Sequence, residues 1–166
     1  MLRAGVLAAV AAVVAGCGYT TTAEVDNDSR LSDDSIVVYA FHDSSVPPEY
    51  HRSVALVASK DETRIVIDSY GDVLADVSVA TPASAWTLLA ETIAAVSSQK
   101  VTTSAAGCTG GTAMDLTVSD GDVRIVDLAP EFCGGSNEGI EEAIDDWIAP
   151  VRDLFAPTDE LAPEGA

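Results

Sequence analysis

Alternating apolar residues in the middle of the chain constrain its fold most. Residues 63–70 alternate, so Ile65 and Ile67 share one face of an extended strand. The turn Gly71-Asp72 leads into residues 73–79, where every second residue is apolar: Val73, Ala75, Val77 and Val79. Two alternating segments joined by a short turn are typical of a β-hairpin. The sequence therefore predicts an antiparallel sheet.

Four further segments have the same strand character. They are rich in β-branched residues and span residues 36–41, 52–58, 114–118 and 123–128. The last two flank Asp120-Gly121, a favoured hairpin turn. We therefore expect five to six strands, of which the first four follow one another through short connections.

Two segments show the spacing of amphipathic helices. Thr81 is expected to cap the first, with Pro82 at its first helical position, and its apolar stripe is Trp86, Leu89, Ile93 and Val96. Ser136 or Asn137 is expected to cap the second, with Ile140, Ile144, Trp147 and Ile148 as its stripe and a break at Pro150. The predicted fold is a single α+β domain in which two helices pack on the sheet.

The composition narrows the class of protein. The 166 residues include 27 acidic and 8 basic side chains, giving a net charge of −19, yet 48% of the chain is apolar. This apolar content excludes a disordered acidic chain. The negative charge excludes the basic surface that nucleic-acid binding requires.

Residues 1–16 follow the order of an export signal. A basic start, Met1-Leu2-Arg3, precedes the apolar run 4–14 and the small residues Ala15-Gly16. The run is shorter than the roughly 20 apolar residues that cross a bilayer. We therefore expect a signal peptide that is removed.

Cys17 follows this signal directly. The segment Val14-Ala15-Gly16-Cys17 resembles the bacterial lipobox, in which two small residues precede the cysteine. The resemblance implies that the Cys17 sulfur carries a diacylglyceryl group, that acylation of palmitate type anchors the protein, and that Cys17 becomes the mature N-terminus. Two acyl chains anchor stably. The expected location is the extracytoplasmic face of the cell membrane.

The other two cysteines lie in glycine-rich segments. Cys108 and Cys133 form an even pair in an oxidising compartment. A bridge would close a loop of about 25 residues and stabilise the fold by roughly 3–4 kcal/mol. A zinc site would need more ligands than two cysteines supply. We predict a disulfide.

The predicted organisation has four parts. Residues 1–16 are the signal peptide, and residues 17–35 are the lipidated cysteine and a flexible linker. Residues 36–155 form the globular domain. Residues 156–166, rich in proline and acidic side chains, are expected to be a disordered tail.

The loop between the first two strands holds the chemistry-bearing residues: His42, Asp43, Tyr50, His51 and Arg52. Ser44 or Ser53 could combine with His51 and an aspartate, Asp43 or Asp68, as a hydrolytic triad. No G-x-S-x-G elbow accompanies them. A second interpretation is a turn stiffened by Pro47-Pro48, with Arg52 paired to Asp43, Asp68 or Asp72. A third is a recognition surface, since Tyr and Arg are common anchors at interfaces.

Three segments carry a resemblance to a known group. They are SVPPEYHRS (45–53), DSYGDVL (68–74) and GCTGGT (107–112). They resemble a group of small actinobacterial lipoproteins and secreted proteins of unknown function, over roughly Tyr39 to Cys133. The resemblance implies localisation and domain shape, and it assigns no catalytic residue.

The sequence thus predicts a cell-envelope lipoprotein that is not an enzyme. We expect it to bind a protein or envelope ligand through the 42–52 loop, without a metal or another cofactor. One alternative is an extracytoplasmic hydrolase centred on His51. Another is a domain like the small bacterial protease inhibitors, to which the order of strands and helix is loosely similar.

Overall fold

The computed structural model of the protein describes residues 31–103, 110–133 and 136–165. Four strands come first: β1 (Ser35–His42), β2 (Ser53–Ala58), β3 (Glu62–Ser69) and β4 (Asp72–Ala80). Two helical segments, α1 (Ala83–Thr92) and α2 (Ala94–Ser97), follow. The chain continues through β5 (Thr112–Asp120), β6 (Val123–Leu128), β7 (Glu131–Phe132), α3 (Glu138–Arg152) and α4 (Thr158–Leu161).

These strands form one antiparallel sheet in the order β4-β3-β2-β1-β5-β6, and the short β7 pairs with the start of β5. The inner face of the sheet packs against α1, α2 and α3. The most buried side chains of this core include Val37, Leu56 and Leu116 from the sheet and Leu89, Ile144 and Ile148 from the helices. The predicted α+β fold with an antiparallel sheet is confirmed. The outer face is open, and Val38 and Val57 are each more than 40% exposed there.

A β-bulge changes the face of Val73. Ile67 lies opposite Ala75, but Asp68 lies opposite Val73, so Leu74 is the extra residue. Because a bulge shifts the alternation by one residue, Val73 leaves the inner face. It is 61% exposed. The prediction that Val73 shares a face with Ala75 is therefore wrong.

The helix ends also differ from the predictions. The Thr81 hydroxyl lies 2.8 Å from that of Thr63, makes no capping bond, and leaves Pro82 as the N-cap. Asn137 precedes α3, but its side chain bonds Thr102 and Glu131 instead of the helix. The predicted break at Pro150 is absent, because α3 continues to Arg152.

Both predicted boundaries of the domain need correction. Leu31 belongs to the hydrophobic core, so the domain includes residues assigned to the linker. The expected disordered tail is wrong as well, because α4 forms and Ala162 is only 4% exposed. Among the described residues, no helix combines the length and apolar character needed to cross a membrane.

Candidate binding site around the 42–52 loop

The loop between β1 and β2 is closed at its base by Asp43. One carboxylate oxygen accepts from the backbone N–H of Ser44 at 2.7 Å, and the other accepts from that of Arg52 at 2.9 Å. The backbone N–H of Asp43 donates to Ser53 Oγ at 3.2 Å. A turn within the loop is closed by the Tyr50 N–H, which donates to the Pro47 carbonyl at 2.9 Å. These bonds fix the loop as a compact unit.

Tyr70, at the β3–β4 turn, holds this loop from outside. Its ring stacks on His51 with centroids 3.9 Å apart, and its hydroxyl donates to the Val46 carbonyl at 2.6 Å. Tyr70 has a φ of 52° and is followed by Gly71 at 93°. A bulky residue in the left-handed region is an outlier that the surrounding contacts must stabilise. With this conformation, the hairpin places the Tyr70 ring over the loop.

The described residues do not assemble the predicted triad around His51. The His51 ring is buried, with Nε2 3.4 Å from Ser53 Oγ, while Nδ1 has no described hydrogen-bond partner. A triad needs a carboxylate on that second nitrogen. The Asp43 carboxylate is bonded to backbone N–H groups, and Asp68 Oδ1 accepts from the Gly71 N–H. Within the described ranges, the contact between Ser53 and His51 therefore lacks an orienting acid.

His42 lies apart from His51. It is on the outer face of the sheet, where its Nε2 is 2.7 Å from Asp115 Oδ2, and both side chains are about half exposed. Within the described parts of the chain, no three His, Cys, Asp or Glu side chains are grouped as metal ligands would be. The two histidines therefore do not share a site.

The Arg52 guanidinium is not paired with Asp43, Asp68 or Asp72, the described aspartates that the rigid-turn interpretation named. Its Nε donates to the Ala162 carbonyl at 2.7 Å, and its Nη2 donates to the Pro163 carbonyl at 2.5 Å. Nη1 donates to the His51 carbonyl at 2.7 Å. The guanidinium thus joins the loop to residues 157–165, which we call the C-terminal segment. Nothing in the sequence of that segment marks it as a partner of Arg52.

A groove runs between the inner face of the sheet and the C-terminal segment. It consists of two adjoining cavities of about 500 and 400 Å³, which share Phe41, Val54 and Thr158 in their walls. Tyr50, Arg52 and Asp43 line the smaller cavity, and Tyr39 and Ile65 line the larger one. Both volumes fall in the range of small-ligand sites. The sequence pointed to the loop and missed the groove, because the C-terminal segment forms one wall of it.

The larger cavity has a polar end. Arg152 lies there, 2.8 Å from Asp145. Burial, with a further contribution from the Asp145 charge, raises the pKa of Tyr39 to about 12, although a hydrogen bond with Arg152 acts in the opposite direction. The phenol therefore stays neutral at physiological pH. It offers a hydroxyl group beside an otherwise apolar wall.

The structure describes one of the three cysteines. Cys133 is disulfide-bonded. Cys17 and Cys108 lie outside the described residues, so their predicted lipidation and pairing stay predictions.

A comparison with known proteins gives no matching family model, and no curated protein matches the sequence.

Proposed function

We propose that this protein is a lipid-anchored lipoprotein of the cell envelope that acts by binding a protein or envelope ligand at the 42–52 loop, and not by catalysis. The observation that carries the proposal is the way the loop is held. Tyr70 adopts an unfavourable backbone conformation, and its ring and its hydroxyl both contact the loop. Backbone strain of this kind is concentrated at functional sites.

The loop presents an anchor of the kind that interfaces use. Tyr50 is 51% exposed and lines the smaller cavity of the groove. Its backbone is fixed by the turn from Pro47, so binding would order little of the main chain. A fixed loop with an exposed aromatic side chain beside a groove favours recognition.

The loop lies at the opposite end of β1 from the point where the described chain begins. The described chain begins at Leu31, four residues before the first residue of β1, whereas the loop follows the last residue of β1. Eight residues of strand separate the two ends by about 23 Å at roughly 3.3 Å per residue. The loop therefore lies at the far end of the sheet, about one strand length from the near end, which the predicted linker joins.

A photo-crosslinking experiment tests the site. A photoreactive phenylalanine analogue replaces Tyr50 in the full-length protein within its native envelope, and the same analogue replaces Val123 as the control. Val123 is 65% exposed and lies at the near end of the sheet, beside the β5–β6 turn. We expect a discrete adduct at position 50 that excess wild-type protein suppresses and excess Tyr50→Ala protein does not. Equal adducts at both positions, or none at position 50, would contradict the proposed site.

The anchor has a separate test. Cys17→Ala should leave the signal uncleaved by the lipoprotein peptidase and remove the acyl mass. Mass spectrometry and membrane fractionation measure both effects. A mature protein with unchanged mass and unchanged membrane retention would refute lipidation.

A further inference from the structure

The Arg52 guanidinium binds main-chain carbonyls and forms no salt bridge with a described carboxylate. Two carbonyls come from its own loop, His51 at 2.7 Å and Pro48 at 3.5 Å. Two come from the C-terminal segment, Ala162 and Pro163. The loop carbonyls hold Nη1, so Nε and Nη2 face the segment as a prepared pair of donors. This fork contacts the carbonyls of two consecutive residues of the segment.

The C-terminal segment meets this fork directly after helix α4, at Ala162, whose backbone belongs to neither a helix nor a strand. Ala162 has φ −139° and ψ 75° and is only 4% exposed, so it fills a small enclosed space. Pro163 carries no N–H that would need a partner in the groove. Beyond it, the Gly165 N–H donates to the Glu49 carbonyl at 3.0 Å. The contacts are therefore made with the backbone of the segment, and the buried position of Ala162 favours a small side chain there.

Each of these contacts is one that a separate peptide could make. The segment is the end of the described chain, and its contacts with the loop are non-covalent hydrogen bonds. The apolar walls formed by Phe41 and Val54 continue from the Arg52 fork along the smaller cavity. The site thus has donors and a small-residue space that the protein's own segment occupies, and an adjoining apolar wall that faces the open cavity.

We propose that the Arg52 fork and the space that Ala162 fills form a binding site for a peptide segment with a small residue at that buried position, and that the C-terminal segment occupies this site in cis. The inference rests on the proposed binding function and names its ligand class. The tethered segment competes with an external peptide at an effective concentration on the order of millimolar. Release of the C-terminal segment is therefore the step that opens the site.

The test uses the full mature chain and a fluorescent peptide that copies residues 157–166. Ala162→Asp in the protein releases the segment, because a charge is costly in that enclosed space, and leaves Arg52 unchanged. We expect saturable peptide binding to the Ala162→Asp protein by fluorescence anisotropy, and binding to wild type at least about tenfold weaker because of the tethered competitor. Hydrogen exchange of residues 158–165 checks the release, and circular dichroism checks the fold.

Two matched controls locate the contact. Adding Arg52→Ala to the Ala162→Asp protein should weaken the peptide by about tenfold or more, as expected for hydrogen bonds to a charged group. On the protein with intact Arg52, a peptide carrying Ala162→Asp should bind as weakly. This second control changes only the peptide and does not depend on how Arg52→Ala affects folding.

The outcomes separate the two proposals. Equal binding to wild type and to the Ala162→Asp protein, or binding indifferent to both controls, would overturn the peptide site. So would the absence of binding when hydrogen exchange shows a released segment. Peptide binding without a Tyr50 adduct in the envelope would sustain this site and refute the recognition role of the loop. An adduct without peptide binding would do the reverse.

Discussion

Replacing Tyr39 by phenylalanine should change how the stability of this protein depends on alkaline pH. Tyr39 lies on β1, is 4% exposed and forms part of the wall of the larger cavity. Burial is the main reason why its pKa is raised to about 12, and Asp145 adds to the effect. The substitution removes one hydroxyl and keeps the ring that fills the wall.

The magnitude follows from the two protonation equilibria. In the unfolded chain the phenol titrates near its ordinary value of about 10. Below about pH 10 both states keep the proton, and the contribution of Tyr39 to stability is fully present. Between about pH 10 and 12 the unfolded state loses the proton and the folded state keeps it, so the free energy of unfolding falls. A shift of about two pKa units corresponds to a loss of roughly 3 kcal/mol.

Urea unfolding at a series of pH values from about 8 to 12 measures this loss. The difference between wild type and Tyr39→Phe isolates the phenol, because all other titrating groups are common to both. Tyr50→Phe serves as the control, since it removes an exposed phenol. If wild type and Tyr39→Phe lose stability in parallel across this range, the burial argument for Tyr39 is refuted.

Four further substitutions test the fold. Ile148→Ala, at a fully buried site, should lower the free energy of unfolding by about 2–5 kcal/mol in urea titration. Val38→Ala on the open face should change it by about 0.5 kcal/mol or less, and equal losses would contradict the assigned faces. Gly71→Ala should cost about 1–2 kcal/mol in thermal unfolding, because φ is 93° there, and no loss would exclude that conformation. Trp147→Phe should cost about 1–3 kcal/mol by leaving the Leu89 carbonyl without its Nε1 donor, and a neutral effect in urea would show that water replaces it.

The sheet could be predicted because its signal is local. In β3, Ile65 and Ile67 are buried and Arg64 is exposed, as strict alternation requires. The apolar stripe of α3 was equally direct, since Ile140, Ile144, Trp147 and Ile148 are all buried. Such patterns depend only on the period of the backbone and on one buried face.

The predictions that were wrong concern features that the periodicity of apolar residues does not determine. Val73-Leu74-Ala75 is apolar throughout, so no alternation marks the bulge that turns Val73 outward. Pro150 is expected to end a helix, but α3 retains the following Val151, which is fully buried. Packing of Val151 compensates for the hydrogen bond that a proline cannot make. In both cases tertiary contacts override a local rule.

The C-terminal segment shows why the candidate site was only half visible from the sequence. Its composition predicts coil, and two carbonyl contacts with an arginine 110 residues away determine where it lies. The sequence indicates Arg52 by its chemistry and its place in the loop, but in the structure its Nε and Nη2 donate to the segment. We therefore expect a substitution of Arg52 to change the loop surface and to release the segment at the same time. Tyr50, which is exposed and lines the groove without those bonds to the segment, is the residue whose substitution probes recognition separately.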